Sequence, residues 1–158
     1  MLTKTSLSAI RLLVHLAQSQ KNELALGKLQ GTYSPKRIAS ELGESPTYLA
    51  KITGILVKAG ILRAQRGVKG GIQLNLPPDR ITLLLVVEAC QGTIIGDYCR
   101  EECNLAHVCA FHDFGVELHR AIVDVLSRWT LAQIMEKTLP SGPLRNSLIC
   151  VLEPTFKN

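Results

Sequence analysis

The chain has 158 residues, 46% of them hydrophobic and 20% charged, which makes it too apolar for a disordered protein and long enough to bury roughly 70% of its unfolded surface. Aromatic residues make up only 4%, so the core must be mainly aliphatic, and charges such as Arg11 break the apolar runs short of the ~18 residues a membrane span needs. Neither a membrane span nor a signal peptide is expected, and the chain reads as cytosolic.

The net charge of +5 is unevenly spread. The first 80 residues hold twelve Lys/Arg against four Asp/Glu, net +8, and the remainder six against nine, net −3. A basic first half suits a polyanionic partner, because each phosphate it neutralises releases condensed counterion.

In chain order, Ser6 to Gln18 carries apolar residues at helical spacing and predicts an amphipathic helix, followed by a polar connector over 19–33. Ser34-Pro35 is a helix start, with Ile38, Ala39 and Leu42 as the apolar face and Gly43 as a left-handed stop. Ser45-Pro46 repeats the signal one short turn later, and Leu49, Ile52, Ile55, Leu56 and Ala59 mark a second helix ending at Gly60. Two helices joined by about three residues form a helix-turn-helix pattern.

Ile61 to Gln65, the tip Arg66-Gly67-Val68-Lys69-Gly70-Gly71 and the alternating Ile72 to Leu76 predict a β-hairpin with a basic, glycine-rich tip. Thr82 caps a further helix towards Gly92. Residues 93–108 have no clean period, and a longer helix returns from about Cys109 to Trp129. One of its apolar stripes comprises Phe111, Phe114, Leu118, Val125 and Trp129, the other Val116, Val123 and Leu126. A helix apolar on two sides must cover both, which suggests packing on its own domain and on a second copy in a two-fold dimer. A short helix over 130–136 and a Pro/Gly-broken tail complete the chain.

In such an arrangement the second helix enters the major groove with its N-terminal side chains, here Ser45, Thr47, Tyr48 and Lys51. Arg66 and Lys69 at the hairpin tip are placed for the adjacent minor groove, and Gly70 with its neighbouring glycines allows close backbone approach.

Five cysteines in a chain without a secretory signal argue against a disulfide scaffold. Cys90 and Cys150 lie in apolar surroundings and read as small core residues. Cys99, Cys103, Cys109 and His112 lie within fourteen residues and suit a metal centre: an iron-sulfur cluster, 2Fe-2S or 4Fe-4S, or alternatively tetrahedral zinc. A metal-free thiol switch is the further alternative, and His107 competes with His112 for the fourth position. His15 reads as structural, and His119 is placed on a helix surface. No Ser-His-Asp set, phosphate-binding glycine loop or carboxylate pair is recognisable, so enzymatic chemistry has no support.

The stretches IASELGESPTYLAKITGILVKAGILRAQRGVKGG at 38–71, VVEACQG at 86–92 and CREECNLAHVCAFHDF at 99–114 resemble the Rrf-type winged-helix regulators of bacteria, with their IscR-, NsrR- and CymR-like branches. The resemblance covers about residues 1–137. It implies that Thr47, Tyr48, Ala50 and Lys51 are recognition-helix positions, that Arg66 is the wing arginine, and that Cys99, Cys103 and Cys109 ligate a cluster. His112 matches the fourth ligand of the IscR-like branch. The NsrR-like branch takes an acidic ligand from the partner's first helix, where this chain has Ser6 and Ser8 and no Asp or Glu before Glu23, and that departure favours His112. Cys99 and Cys103 are separated by three residues where IscR-like members usually have five, which leaves the cluster type open. Ala50 stands where that branch carries a glutamate, so its operator preference does not transfer.

The expectation is therefore a mainly α protein with a small β-hairpin wing, a winged helix-turn-helix followed by a long dimerisation helix. Its parts are a DNA-binding domain over 1–92, a cysteine-rich loop over 93–112, a dimerisation helix region over 113–137 and a tail over 138–158. The expected activity is transcription regulation by a homodimer on double-stranded DNA with an imperfect palindrome, sensing iron-sulfur, redox or nitric oxide status. The alternatives are a DNA-binding regulator with structural zinc or a thiol switch, and a metal-binding interaction module without DNA binding.

Overall fold

A computed structural model of the chain describes residues 2–27, 31–67, 70–94 and 110–136. In order these form α1 (Lys4–Ala25), α2 (Pro35–Leu42), α3 (Pro46–Lys58), β1 (Leu62–Gln65), β2 (Gly71–Leu74), a 3₁₀ turn (Pro78–Arg80), α4 (Leu83–Gln91), α5 (Ala110–Arg128) and α6 (Leu131–Glu136).

The first helix is the axis of the fold. Ala9, Leu12, Leu13 and Leu16 are fully buried, and α1 packs against α2, α3, α4, α6 and β2. It runs to Ala25, well beyond the expected end at Gln18. The extension is built of Lys21, Glu23, Leu24 and Ala25, good helix formers with no glycine or proline to stop them. Their apolar periodicity fades because Lys21, Asn22, Leu24 and Ala25 are exposed. The expected connector over 19–33 is correspondingly shorter.

The helix-turn-helix follows the punctuation in the sequence with one exception. Gly43 takes the left-handed conformation at φ 66°, and the Ser45 hydroxyl accepts from the Tyr48 amide at 3.4 Å to cap α3. The Ser34 side chain makes no capping bond, so Pro35 in the first turn is what starts α2. The turn between the helices is latched to α1. Glu44 Oε1 accepts from the Ser8 hydroxyl at 2.8 Å and from Arg11 Nη1 at 3.3 Å, while Arg11 Nη2 donates to the Leu42 carbonyl at 3.0 Å.

The strands pair antiparallel, with Leu62 opposite Leu74 and Gln65 opposite Gly71. Tyr33, just before α2, adds a third rung: its amide donates to the Ile72 carbonyl and Ile72 donates back, both at 2.9 Å. At the other end of the hairpin, Asn75 Nδ2 donates to the Gly60 carbonyl at 2.8 Å, tying β2 to the end of α3.

Thr82 caps α4 as expected, accepting from the Leu85 amide at 3.2 Å. A second bridge joins the strand-like residues Thr82 and Thr130, in which Leu83 donates to the Trp129 carbonyl at 2.9 Å and Leu131 to Ile81 at 2.8 Å. This bridge pins the junction of α5 and α6 to the head, and α6 buries Leu131 in the common core. That core joins Ile38, Leu42, Leu49, Ile52, Leu56, Ile61, Leu62 and Ile72 to the α1 leucines, aliphatic as composition required.

Two substitutions test this framework. A methyl group on Gly71 would lie 2.6 Å from the Tyr33 carbonyl oxygen, so Gly71→Ala should break the Tyr33 bridge and cost roughly 1–3 kcal/mol, read as a lowered melting temperature. Glu44→Ala strips two donors of their acceptor in a site where the Arg11 and Glu44 side chains are only 15% and 13% exposed. A loss of about 2 kcal/mol by urea denaturation is expected, and an unchanged midpoint would show that the latch is energetically idle.

Candidate nucleic-acid interface and metal centre

Thr47, Ala50, Lys51, Gly54 and Lys58 are all exposed, and their spacing of three or four residues places them on one face of α3. The opposite face, Leu49, Ile52, Thr53 and Leu56, is buried against the core. The helix therefore presents one small-residue face with two ammonium groups and keeps its apolar face inside. Ser45 is exposed at the start of that face. Tyr48 is turned the other way. It is half-buried, its hydroxyl lies 3.4 Å from Thr5 Oγ1 of α1, and the Lys4 ammonium lies 5.7 Å from the centre of its ring.

Arg66 and Gly67 leave β1 exposed at the hairpin tip, with Gly67 at φ 111°, a conformation that favours glycine. The Gly70 amide closes the tip by donating to the Gly67 carbonyl at 2.8 Å, and a side chain at Gly70 would collide with the Gln65 carbonyl oxygen. Gly70 is thus required by the turn itself. Lys69 lies outside the described residues.

Behind this face, α1 and α2 are joined by a charge cluster. His15 Nε2 lies 2.8 Å from Glu41 Oε2, and Arg37 Nε donates to Glu41 Oε1 at 2.7 Å. The Arg37 bond, more than the charge of His15, holds the Glu41 carboxyl below the ordinary carboxylate range despite its partial burial. His15 has the structural part expected of it. Burial, with Glu23 as a lesser cause, pushes the nearby Tyr33 hydroxyl well above its ordinary value.

For the metal centre, Cys99, Cys103, Cys109 and the competitor His107 fall outside the described residues. His112 is half-buried in the first turn of α5. Among the described residues no three His, Cys, Asp or Glu side chains gather to hold a metal, as three of the four expected ligands are not among them. The donor chemistry nevertheless fits a soft or borderline metal centre. The segment 95–109 is bounded by α4 and α5, two helices packed on each other, and His112 stands three residues after Cys109 at the anchored end. Ser6 and Ser8 of α1 are buried and engaged, Ser6 donating to Gln91 Oε1 at 3.2 Å and Ser8 to Glu44.

The remaining groups fall into place around these sites. Cys90 is half-buried against the core, where desolvation raises its thiol pKa and a hydrogen bond with Ser6 opposes the rise. His119 is half-buried, deeper than the surface position expected, and its Nδ1 has no partner among the described residues. On α5, Phe111, Phe114, Leu118 and Val125 are 41–57% exposed, the two rings stacked at a tilt 5.3 Å apart. Leu2, Val87, Ile94, Ala121, Ile122 and Val125 line an apolar groove of about 440 Å³ beside that stripe. Sequence reasoning missed the Ser8–Arg11–Glu44 latch and the Lys4–Tyr48 contact. The first had a faint signal, Ser8 and Arg11 three apart on a helix that from Leu7 to Ala17 has only His15 besides them as a polar residue.

A model of the family described as Rrf2, Iron-dependent Transcriptional regulator, matches residues 2–137. The HTH-type transcriptional regulator IscR of Aliivibrio salmonicida is 29% identical over 115 residues, covering 72% of this chain and 68% of its own. Protein aau3 of Rhizobium meliloti is 26% identical over 157 residues, covering 97% of this chain and 94% of its own. Among solved structures, CymR, the global cysteine regulator of B. subtilis, superposes with a TM-score of 0.69 over 87% of this chain and 98% of its own, at 23% identity, a likeness of fold. No helix among the described residues is long and apolar enough to cross a membrane. With a winged helix-turn-helix whose second helix turns a polar face outward, and a family match over residues 2–137, the chain belongs to the Rrf2 family of DNA-binding transcriptional regulators, which are not enzymes.

Proposed function

We propose that this regulator binds an imperfect palindrome as a homodimer and senses iron-sulfur, redox or nitric oxide status through Cys99, Cys103, Cys109 and His112. The observation that carries the DNA reading is the outward face of α3. Thr47, Lys51 and the N-terminal Ser45 meet the major groove, while Arg66 and Lys69, on the tip that Gly70 closes, reach the adjacent minor groove. Tyr48 contributes to this surface from its inner edge.

The dimer reading rests on the exposed α5 stripe and the apolar groove beside it. A monomer that left Phe111, Phe114, Leu118 and Val125 in water would forgo the burial of four large side chains. A second copy related by a two-fold axis covers both stripe and groove at once.

Three thiolates and one imidazole form a donor set for an iron-sulfur cluster, a group that supplies oxidant- and nitric-oxide-labile metal–thiolate bonds when bound. The name IscR on one relative and the iron-dependent description of the family favour this over zinc. This chain's residues do the rest. Ligation ties the 93–112 segment to the first turn of α5 through His112, and α5 is pinned to the head through the Thr82–Thr130 bridge. A change in how the segment is held thereby alters the angle between the two recognition helices, which is the differential contact that a switch requires.

Anaerobic purification with iron and acid-labile sulfide analysis separates the readings. Iron with sulfide supports the cluster, zinc without sulfide makes the centre structural, and neither leaves a thiol switch. Cys103→Ala should abolish iron retention while the protein stays dimeric by sedimentation; normal iron content would remove Cys103 from the ligand set. On duplex DNA, affinity should fall roughly a thousandfold or more between low and moderate salt, and a chain lacking that dependence is an interaction module. Arg66→Ala should weaken operator binding about tenfold, the order of one lost contact of ~1–3 kcal/mol, and unchanged affinity would take the wing out of the groove.

A further inference from the structure

We propose that Lys4, held on the ring of Tyr48, is a DNA-phosphate contact at the start of the recognition helix, and that Tyr48 acts as a positioning residue for it. The inference rests on the reading of α3 as the groove-facing helix.

Three observations carry it. Tyr48 lies in the first turn of α3, its amide bonded to the Ser45 cap, so whatever its ring supports stands at the end of α3 that meets the duplex. The ring is fixed from behind by the core and by the hydroxyl contact with Thr5, and the Lys4 ammonium lies over it at 5.7 Å, within cation–π reach. Lys4 itself is exposed and forms no ion pair with a described carboxylate. Glu44, the acid nearest in sequence to Tyr48, is already occupied by Ser8 and Arg11.

The electrostatics of the fold alone do not account for this placement. Lys4 is the first residue of α1, the end where the helix dipole repels a cation, and the first turn of α1 contains no acidic residue to offset it. The start of α3 likewise contains no acid. Two positive helix ends and an ammonium group on one side of the head make a local excess of positive potential, and the anion that complements it is a backbone phosphate. A phosphate contact carries no base information, so Lys4 would set affinity and register while Thr47 and Lys51 set sequence preference.

The test is the salt dependence of duplex binding by the full-length protein, measured on several mixed-sequence duplexes. For wild type the slope of log K against log salt counts phosphate contacts, at roughly 0.9 per contact. Lys4→Gln should lower that slope by roughly 0.9 per protomer engaged and weaken all duplexes equally; Lys4→Arg should restore it. Tyr48→Phe keeps the ring and should keep the slope, whereas Tyr48→Leu should lower it as Lys4→Gln does, with no further fall in the double variant. A steep wild-type slope left unchanged by Lys4→Gln overturns the inference and spares the groove reading. A wild-type protein with no salt-dependent duplex affinity overturns the groove reading itself. Should Tyr48→Leu fail to fold, the exposed Lys4→Gln and Lys4→Arg pair decides the outcome.

Discussion

The carboxylate of Glu44 holds the head in its working geometry. A three-residue turn leaves the angle between two short helices poorly determined, since α2 and α3 add only a few side chains each to the common core, among them Ile38, Ala39, Leu49 and Ile52. Anchoring that turn to Ser8 and Arg11 of the longest described helix removes the freedom, because α1 is itself fixed along its length by four fully buried apolar residues. The Leu42 carbonyl, an unsatisfied acceptor at the end of α2, is answered by the same guanidinium. One partly buried ion pair thus closes a helix end, orients a turn and sets the direction in which α3 projects.

A regulator also needs that head to feel what happens at the far end of the chain. The structure offers a stiff route. The Thr82–Thr130 bridge fastens the junction of α5 and α6 to the loop before α4, and α4 packs in turn on α1 and α3. A rotation of α5 cannot be absorbed in a floppy linker, since the residues between α5 and the head are held by paired backbone hydrogen bonds of 2.8 and 2.9 Å. On the proposed reading, a displacement at the first turn of α5, where His112 sits, would reach the core that supports α3 by this route. Packed interfaces of this kind shift between discrete arrangements and do not deform continuously.

The head was legible in the sequence because its start and stop signals are stereochemical. Proline at the first turn of α2 and α3 fixes φ, Gly43 and Gly60 permit the positive φ that ends a helix, and Thr82 supplies a capping hydroxyl, and the structure uses all of them. The end of α1 departs from the expectation because amphipathic periodicity reports apolar burial, and the last two turns of α1 bury only the polar Gln20. Ser34 resembled a cap that its side chain does not make. Tyr48 was legible as a recognition-helix residue by position, but the direction of its ring depends on the aromatic face finding α1, a tertiary contact that no local pattern encodes. The Glu44 latch was hidden for the same reason: its partners lie 33 and 36 residues away.

The composition of the α3 face constrains how such a protein divides affinity from specificity. Thr47, Ala50 and Gly54 offer one hydroxyl and two nearly bare backbone positions, and with no Asn, Gln or Arg on the face its lysines are the only side chains there of a kind that reads a base edge with two hydrogen bonds. A glycine in mid-helix weakens α3, yet Gly54 leaves open space on the outside where a side chain would stand. On the proposed groove reading, a small face would let the helix backbone settle deep in the groove, where fit to groove width and contact with thymine methyl groups would add to the preference that Thr47 and Lys51 set. On that reading, binding energy would then come chiefly from the cations around the face, which include Lys51, Lys58 and Arg66, and a homodimer built this way would depend strongly on the relative placement of its two heads. In the homodimer proposed, that dependence would make the geometry of α5 a control point, because a regulator with weak individual base contacts loses its operator when the spacing of its recognition helices changes by a small amount.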